Sequence, residues 1–197
     1  MKILVASTNP GKIREISEIL CTQAIKIVTP PEIDLKIEVI EDGADFLENA
    51  VKKAKAWSQA SGMNALADDS GLCVKALGGL PGVMSARFAG ADATDEENNR
   101  LLLQKMAGQN NREAEFICVV VLALTNGDLI IGKGSCQGCI LDKMTGRGGF
   151  GYDPLFYDPS SGKTFAELTP GEKNERSHRR RALRDLERKL SGFIKNL

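Results

Sequence analysis

Histidine occurs once in these 197 residues, tryptophan once and tyrosine twice. The lone His178 excludes any site that needs two histidines, and a Ser-His-Asp triad would have to run through it. Charge of one sign is not in excess: 26 basic and 26 acidic side chains give a formal net charge of zero. No global field therefore draws the chain to nucleic acid or anionic lipid. No apolar run approaches the roughly 20 residues of a membrane span. Met1-Lys2-Ile3-Leu4-Val5-Ala6 carries one basic residue and a very short apolar run, which reads as a first buried strand and not as a signal peptide. Repeats and low-complexity linkers are absent. The five cysteines (21, 73, 118, 136, 139) are odd in number and widely spread, as expected of reduced thiols in a cytoplasmic protein. Cys136-Gln137-Gly138-Cys139 matches C-x-x-C, but no second pair exists and a structural zinc wants four ligands, so the match reads as incidental.

What is present is an ordinary globular composition, 42% hydrophobic and 26% charged, long enough for one domain or for two small lobes around one cleft. Lys2–Ala6 reads as a strand, Ser7-Thr8-Asn9-Pro10-Gly11 as a turn, and Ile13, Ile16, Ile19 and Leu20 as a helical stripe. Residues 36–40 read as a second strand ending in Glu41-Asp42-Gly43. A helix follows over about 44–61, with Phe46, Leu47, Ala50, Val51, Ala54 and Trp57 on one face. Short strands are expected at 65–68 and 72–77. Thr94 with Glu97 is a capping box that opens a helix to about Met106. Asn126-Gly127 joins two strands, 116–124 and 129–133, as a hairpin. A glycine-dense loop spans 146–151, and a last helix runs from about Ser177 to Leu190 or beyond. Strands mixed with helices argue for an α/β fold around a twisted mixed β-sheet flanked by helices.

The most informative stretch is Ala67-Asp68-Asp69-Ser70-Gly71. Successive side chains on a strand point to opposite faces, so the two acids cannot do the same job. One can face a site while the other ties down local backbone. A carboxylate at the mouth of a strand suits a hard cation such as Mg²⁺, which prefers oxygen donors and usually brings phosphates. A plain turn is the competing reading, since Asp, Ser and Gly all favour turns.

Four further clusters bear on that choice. Ser7-Thr8-Asn9-Pro10-Gly11-Lys12 leads from a strand into a helix, whose free N–H groups and macrodipole favour phosphate; Lys12 adds a charge. The spacing is not that of a Walker A loop, and a plain strand-to-helix turn with proline near the first helical position stays open. Glu41 is the second acid for a cation. Of Lys52, Lys53 and Lys55, ordinarily a solvated face, only one can point back at the site. Gly148-Gly149-Phe150-Gly151-Tyr152-Asp153-Pro154 sets two aromatics among glycines, which suits stacking of a base or, alternatively, a tight loop with core aromatics. Lys173, Ser177, His178 and Arg179 gather where the last helix begins. Cations there oppose the dipole, so a negative ligand, or a base edge to be read, would justify them. Together these clusters suggest a divalent cation, a polyphosphate and a flat base, with no obvious covalent nucleophile.

Ser7–Lys12, Glu41-Asp42-Gly43 with Glu48-Asn49-Ala50 and Lys53, Ala67–Leu72, Leu80-Pro81-Gly82-Val83 with Ser85-Ala86-Arg87, Gly148–Pro154 and Ser177-His178-Arg179 occur in that order over nearly the whole chain. This pattern resembles the inosine triphosphatase family, the Ham1-like noncanonical purine nucleoside triphosphate pyrophosphatases. The resemblance implies a single pyrophosphatase domain over 1–197, two lobes around a central cleft, a homodimer, and Mg²⁺-dependent hydrolysis of ITP, dITP and XTP to the monophosphate and pyrophosphate. It implies Glu41 and Asp69 as metal-site acids, and Asp69 as the general base. It implies Ser7, Thr8, Asn9, Pro10, Gly11, Lys12, Lys53, Ser70 and Lys173 as phosphate and sugar contacts. Phe150, Gly151, Tyr152 and Asp153, with His178 and Arg179, correspond to the base pocket. Arg147 and Cys136-Gln137-Gly138 depart from the family pattern without touching a motif residue. Purine nucleoside triphosphates are thus the expected partners, with neither nucleic acid nor membrane. Two rivals stand beside this reading: a Maf-type pyrophosphatase acting on other modified nucleotides, and a nucleic-acid module built on Arg176, Arg179, Arg180 and Arg181.

Overall fold

The computed structural model describes residues 1–20 and 25–195, with side chains through Ser191; Cys21 lies outside the described residues. The elements in order are β1 (Lys2–Val5), α1 (Pro10–Leu20), β2 (Lys26–Val28), α2 (Phe46–Ser61), β3 (Ala65–Val74), α3 (Asp95–Lys105), β4 (Glu113–Ala123), β5 (Leu129–Ile140), β6 (Phe156–Asp158), β7 (Lys163–Thr164), α4 (Pro170–Arg176) and α5 (His178–Lys195). The seven strands form one open sheet in the order β2-β1-β3-β4-β5-β6-β7. It is mixed: β1 runs parallel to β2 and to β3, while β6 is antiparallel to β5 and to β7. The expected α/β sheet flanked by helices is therefore what the chain forms. No described helix is long and apolar enough to cross a membrane.

By contacts the chain divides into two compact units. The first comprises Met1–Asp69, Cys118–Gly134 and Arg179–Leu197; the second comprises Ser70–Ile117 and Ser135–His178. In the first unit, strand alternation builds a core on each face of the sheet. Ile3, Val5, Leu66, Cys118, Val120 and Leu122 pack with Ile16, Ile19 and Leu20 of α1 and with Ala182, Leu183, Leu186 and Leu190 of α5. Leu4, Ala6, Ala65, Ala67, Val119, Val121 and Ala123 pack with Ala50, Ala54 and Trp57 of α2. The second unit has its own core, in which Leu72, Val74, Leu102, Met106, Phe116, Phe156 and Phe165 meet.

Three local expectations differ from what forms. Residues 36–40 form no strand among the described residues. The two short strands around an acidic turn are one strand, β3, which runs unbroken through Asp68-Asp69-Ser70-Gly71; pairing on the sheet outweighs the turn preference of those residues. The last helix is preceded by a separate short one, α4. It opens with Thr169 and Glu172 in a capping box and with proline in its first turn, a start signal present in the sequence.

Candidate active site

Alternation along β3 decides what each acid does. Asp68 follows Leu66 to the face covered by α1 and α5, while Asp69 follows Ala65 and Ala67 to the face covered by α2. Asp68 has no exposed side-chain surface, and it meets Lys12 Nζ at 3.2 Å and Arg179 Nη2 at 3.1 Å. Arg179 Nε also donates to the same oxygen at 3.3 Å, and another guanidinium nitrogen, Nη1, pairs with Glu15. Burial opposes ionisation of Asp68, but Lys12, Arg179 and Lys53 more than offset it and hold the carboxyl well below the usual range. Arg179 is buried too; its two carboxylate neighbours outweigh that burial and raise its pKa further. The anions that justify a cation at the first turn of α5 are thus, at least in part, the protein's own. The Cys118 thiol beside Asp68 is pushed up to about 12, by burial first and by Asp68 second, so it is no nucleophile.

Asp69 belongs to a different arrangement. Lys53 Nζ lies 3.0 Å from Asp69 Oδ1 and 2.8 Å from Glu41 Oε2, so one ammonium holds both acids. Lys53 stands one turn after Asn49 on α2, and Asn49 Nδ2 donates to Asp69 Oδ2 at 3.2 Å. Asn49 Oδ1 accepts the amide of Gly43 at 2.8 Å, which ties the Glu41 segment to the helix. A side chain at Gly43 would bring a Cβ within 2.6 Å of that same oxygen. Of the three candidate lysines, Lys52 pairs with Asp42 at the surface and Lys55 is exposed; Lys53 is the one turned inward. Burial raises the pKa of Asp69, helped by Glu41, although Lys53 and Lys12 pull it down. Glu41 moves the other way: burial would raise it, but Lys53 brings it below its ordinary value. Two carboxylates with pKa values driven apart suit a proton acceptor beside a permanent anion.

The phosphate-loop candidates lead into α1. Asn9 Oδ1 accepts the Lys12 amide at 3.1 Å and Ser7 Oγ accepts the Asn9 amide at 3.2 Å, an N-cap with Pro10 at the first helical position. Thr8, Asn9 and Pro10 are exposed; Ser7, Gly11 and Lys12 are half-buried. In the second unit, Asp153 Oδ2 accepts the Phe150 amide at 2.9 Å and Lys173 Nζ at 2.5 Å. Lys173 Nζ lies 4.4 Å from the centre of the half-buried Phe150 ring. A Cβ at Gly149, where φ is +74°, would fall 2.0 Å from Asp153 Oδ2, so only glycine fits there. Tyr152 is buried and donates its hydroxyl to Ser85 O at 2.9 Å, as a core aromatic does. His178 stacks on Phe116 at 4.7 Å. Ser70 is half-buried on β3.

The structure therefore gathers Lys12, Lys53, Glu41, Asp68, Asp69 and Arg179 in the first unit, and Phe150, Asp153 and Lys173 in the second. Glu15 and the bridging role of Asn49 were not read from sequence. Glu15 did carry a signal, because it adjoins Ile16 on the inward stripe of α1.

A family model described as the Ham1 family matches residues 3–189. The chain belongs to the Ham1 family. It is 48% identical over 186 residues to a Desulforamulus reducens protein named dITP/XTP pyrophosphatase, covering 93% of this chain and 92% of that one. A Thermus thermophilus protein of the same name is 50% identical over 188 residues, covering 94% and 90%. Among solved structures, the Staphylococcus aureus Ham1 protein superposes with a TM-score of 0.86 at 39% identity, over 98% of this chain and 99% of that one. A HAM1 protein from Coxiella burnetii gives 0.85 at 40% identity over both whole chains.

Proposed function

We propose that this chain hydrolyses noncanonical purine nucleoside triphosphates, dITP, XTP and ITP, to the nucleoside monophosphate and pyrophosphate. The observation that carries the reading is the pair Glu41 and Asp69 converging on Lys53 Nζ at 2.8 and 3.0 Å. The names of the related proteins point to the same class of reaction.

The donor set fits Mg²⁺. Among the described residues no three His, Cys, Asp or Glu side chains form a ready-made metal cage. Mg²⁺ does not need one, because it is commonly held by one or two carboxylates together with substrate phosphates. Glu41 and Asp69 would hold it. One ammonium, Lys53, lies between the two carboxylates, and a bare triphosphate would meet their negative charge with repulsion. When bound, the ion supplies positive charge to the polyphosphate.

Asp69 accepts a proton from water, and the water oxygen forms a bond to phosphorus. The phosphoanhydride bond between the α- and β-phosphates breaks, and pyrophosphate leaves with the bonding electron pair. Lys12, Lys53 and Lys173 balance the charge on the phosphates, and the Ser7–Gly11 segment and Ser70 donate hydrogen bonds to phosphate and sugar. The loop Phe150–Asp153, with His178 and Arg179, reads the base. Hypoxanthine and xanthine present a 6-oxo acceptor where adenine has a 6-amino donor, so a site of N–H donors leaves buried groups unpaired against adenine, at about 1–3 kcal/mol per group. A cytoplasmic location and a homodimer are parts of the same proposal.

The test is pyrophosphate release from ITP, XTP, GTP and ATP, with and without Mg²⁺. ITP and XTP should turn over only with the ion, and ATP should be a very poor substrate. Equal efficiency on ATP and ITP would reject the base-reading assignment; turnover unchanged in chelator would reject the metal assignment.

A further inference from the structure

Gly151, between Phe150 and Tyr152, is gripped at both of its polar backbone atoms by side chains of α3. Its amide donates to Asp95 Oδ2 at 2.6 Å, and its carbonyl accepts Asn99 Nδ2 at 2.8 Å. Asp95 and Asn99 are four residues apart and so lie on one face of the helix. A residue held by both N–H and C=O has neither adjoining peptide plane free to turn.

The grip has a cost that its purpose must offset. Asn99 is 2% exposed, and it directs both amide protons to carbonyls, those of Gly151 and of Asp95 at 2.6 Å. Its own Oδ1 is buried with no hydrogen-bond partner among the described residues. Turning the amide over would set Oδ1 against two carbonyl oxygens, so the partners fix the orientation. Next to it, Asn98 makes a neighbouring splint, accepting the Ala89 amide at 2.8 Å and donating to Ala86 O at 3.2 Å. The start of α3 thus fastens two loops of the second unit at once.

We infer that Asp95 and Asn99 are positioning residues for base recognition: their clasp on Gly151 sets the attitude of the Phe150–Asp153 loop and thereby the enzyme's choice among purines. The inference rests on the functional reading above. The clasped residue separates Phe150, whose ring lies against Lys173, from Asp153, which accepts both the Phe150 amide and Lys173. Loosening Gly151 loosens that arrangement without touching Asp69 or Lys53.

Asp95 is exposed and opens α3, which makes Asp95→Ala a tolerable substitution. Asp95→Asn keeps an acceptor for the Gly151 amide. Glu96→Ala removes another first-turn acid that makes no contact with Gly151, and so controls for the helix dipole. Steady-state kinetics on ITP and ATP, with a melting curve for each variant, separate the cases. Asp95→Ala should raise KM for ITP and shrink the ITP-to-ATP preference by about 10-fold each, with kcat held within about two-fold. Asp95→Asn and Glu96→Ala should behave as wild type. Asp95→Ala with wild-type KM and preference, whatever its melting temperature, would overturn the inference, as would the same losses in Glu96→Ala. Wild-type protein with no preference for ITP over ATP would overturn the functional reading itself, and this inference with it.

Discussion

Burying a carboxylate is costly unless a cation shares the burial, and Asp68 has both Lys12 and Arg179. Its folded pKa lies below the unfolded value of about 3.9. Its contribution to stability is therefore complete above that value and is lost as the pH falls from there toward the folded pKa. Asp68→Asn should destabilise the protein by about 3–5 kcal/mol, the usual cost of breaking a buried pair, read as a fall in denaturation midpoint. Asp69 has the opposite sign. Burial raises its folded pKa, so the stability tied to its protonation is present at low pH and is lost as the pH rises through the folded pKa. Asp69→Asn should melt no lower than wild type while losing roughly 100-fold or more in kcat. A larger kcat loss in Asp68→Asn than in Asp69→Asn would mean that the two roles are reversed. Lys53 pulls the Asp69 pKa down, so Lys53→Gln should move it up further; carboxyl ¹³C titration of the metal-free protein reads that shift directly. Arg179 is a poor site for an alanine test of base choice, because its removal leaves Asp68 and Glu15 without their shared cation. Arg179→Lys keeps the charge and loses the fork, and is the cleaner probe.

Among the elements, β3 carries Asp69 and α2 holds it in place. Asn49 and Lys53, one turn apart, both reach Asp69, and Gly43 joins the Glu41 segment to Asn49. Gly43→Ala would place a Cβ 2.6 Å from Asn49 Oδ1, 2.8 Å from Glu48 Cβ and 3.0 Å from the Asn49 amide. Two of those three contacts involve atoms on or next to the backbone, so the start of α2 must shift. We expect a kcat loss of about 10-fold or more from that displacement alone, with circular dichroism showing the helix retained. Unchanged kcat would show that the tie is not needed for turnover. On β5, Cys136 and Cys139 are three residues apart and so face opposite sides of the strand. Cys136 is buried among apolar side chains and Cys139 is partly exposed, an arrangement in keeping with an incidental C-x-x-C. Local signals were legible here: the Thr94–Glu97 capping box, the Asn126-Gly127 hairpin and the inward stripe of α2 each formed as their chemistry dictates. Residues 36–40 carry a strand-like alternation but join no strand among the described residues, and pairing is not written into a single segment. The acidic turn failed for the same reason in reverse, since neighbouring strands drew Asp68 through Gly71 into the sheet.

At the scale of the whole chain, motif order was readable and long-range pairing was not. Asp68 and Asp69 were recognisable as a pair with divided roles, yet one partner of Asp68 lies 111 residues away at Arg179. Nothing local announces such a contact, and the strand order places β1 between β2 and β3 for equally non-local reasons. The clasp of Asp95 and Asn99 on Gly151, 56 and 52 residues apart in sequence, was hidden in the same way. Whether the molecule acts as a pyrophosphatase turns on which bond is broken. Following dITP by ³¹P NMR, in Mg²⁺ and with wild-type and Asp69→Asn protein side by side, reads that bond directly. The expected spectrum shows dIMP and pyrophosphate growing together at one rate, with Asp69→Asn nearly silent. Formation of dIDP with inorganic phosphate, or equal turnover in the two proteins, would contradict it.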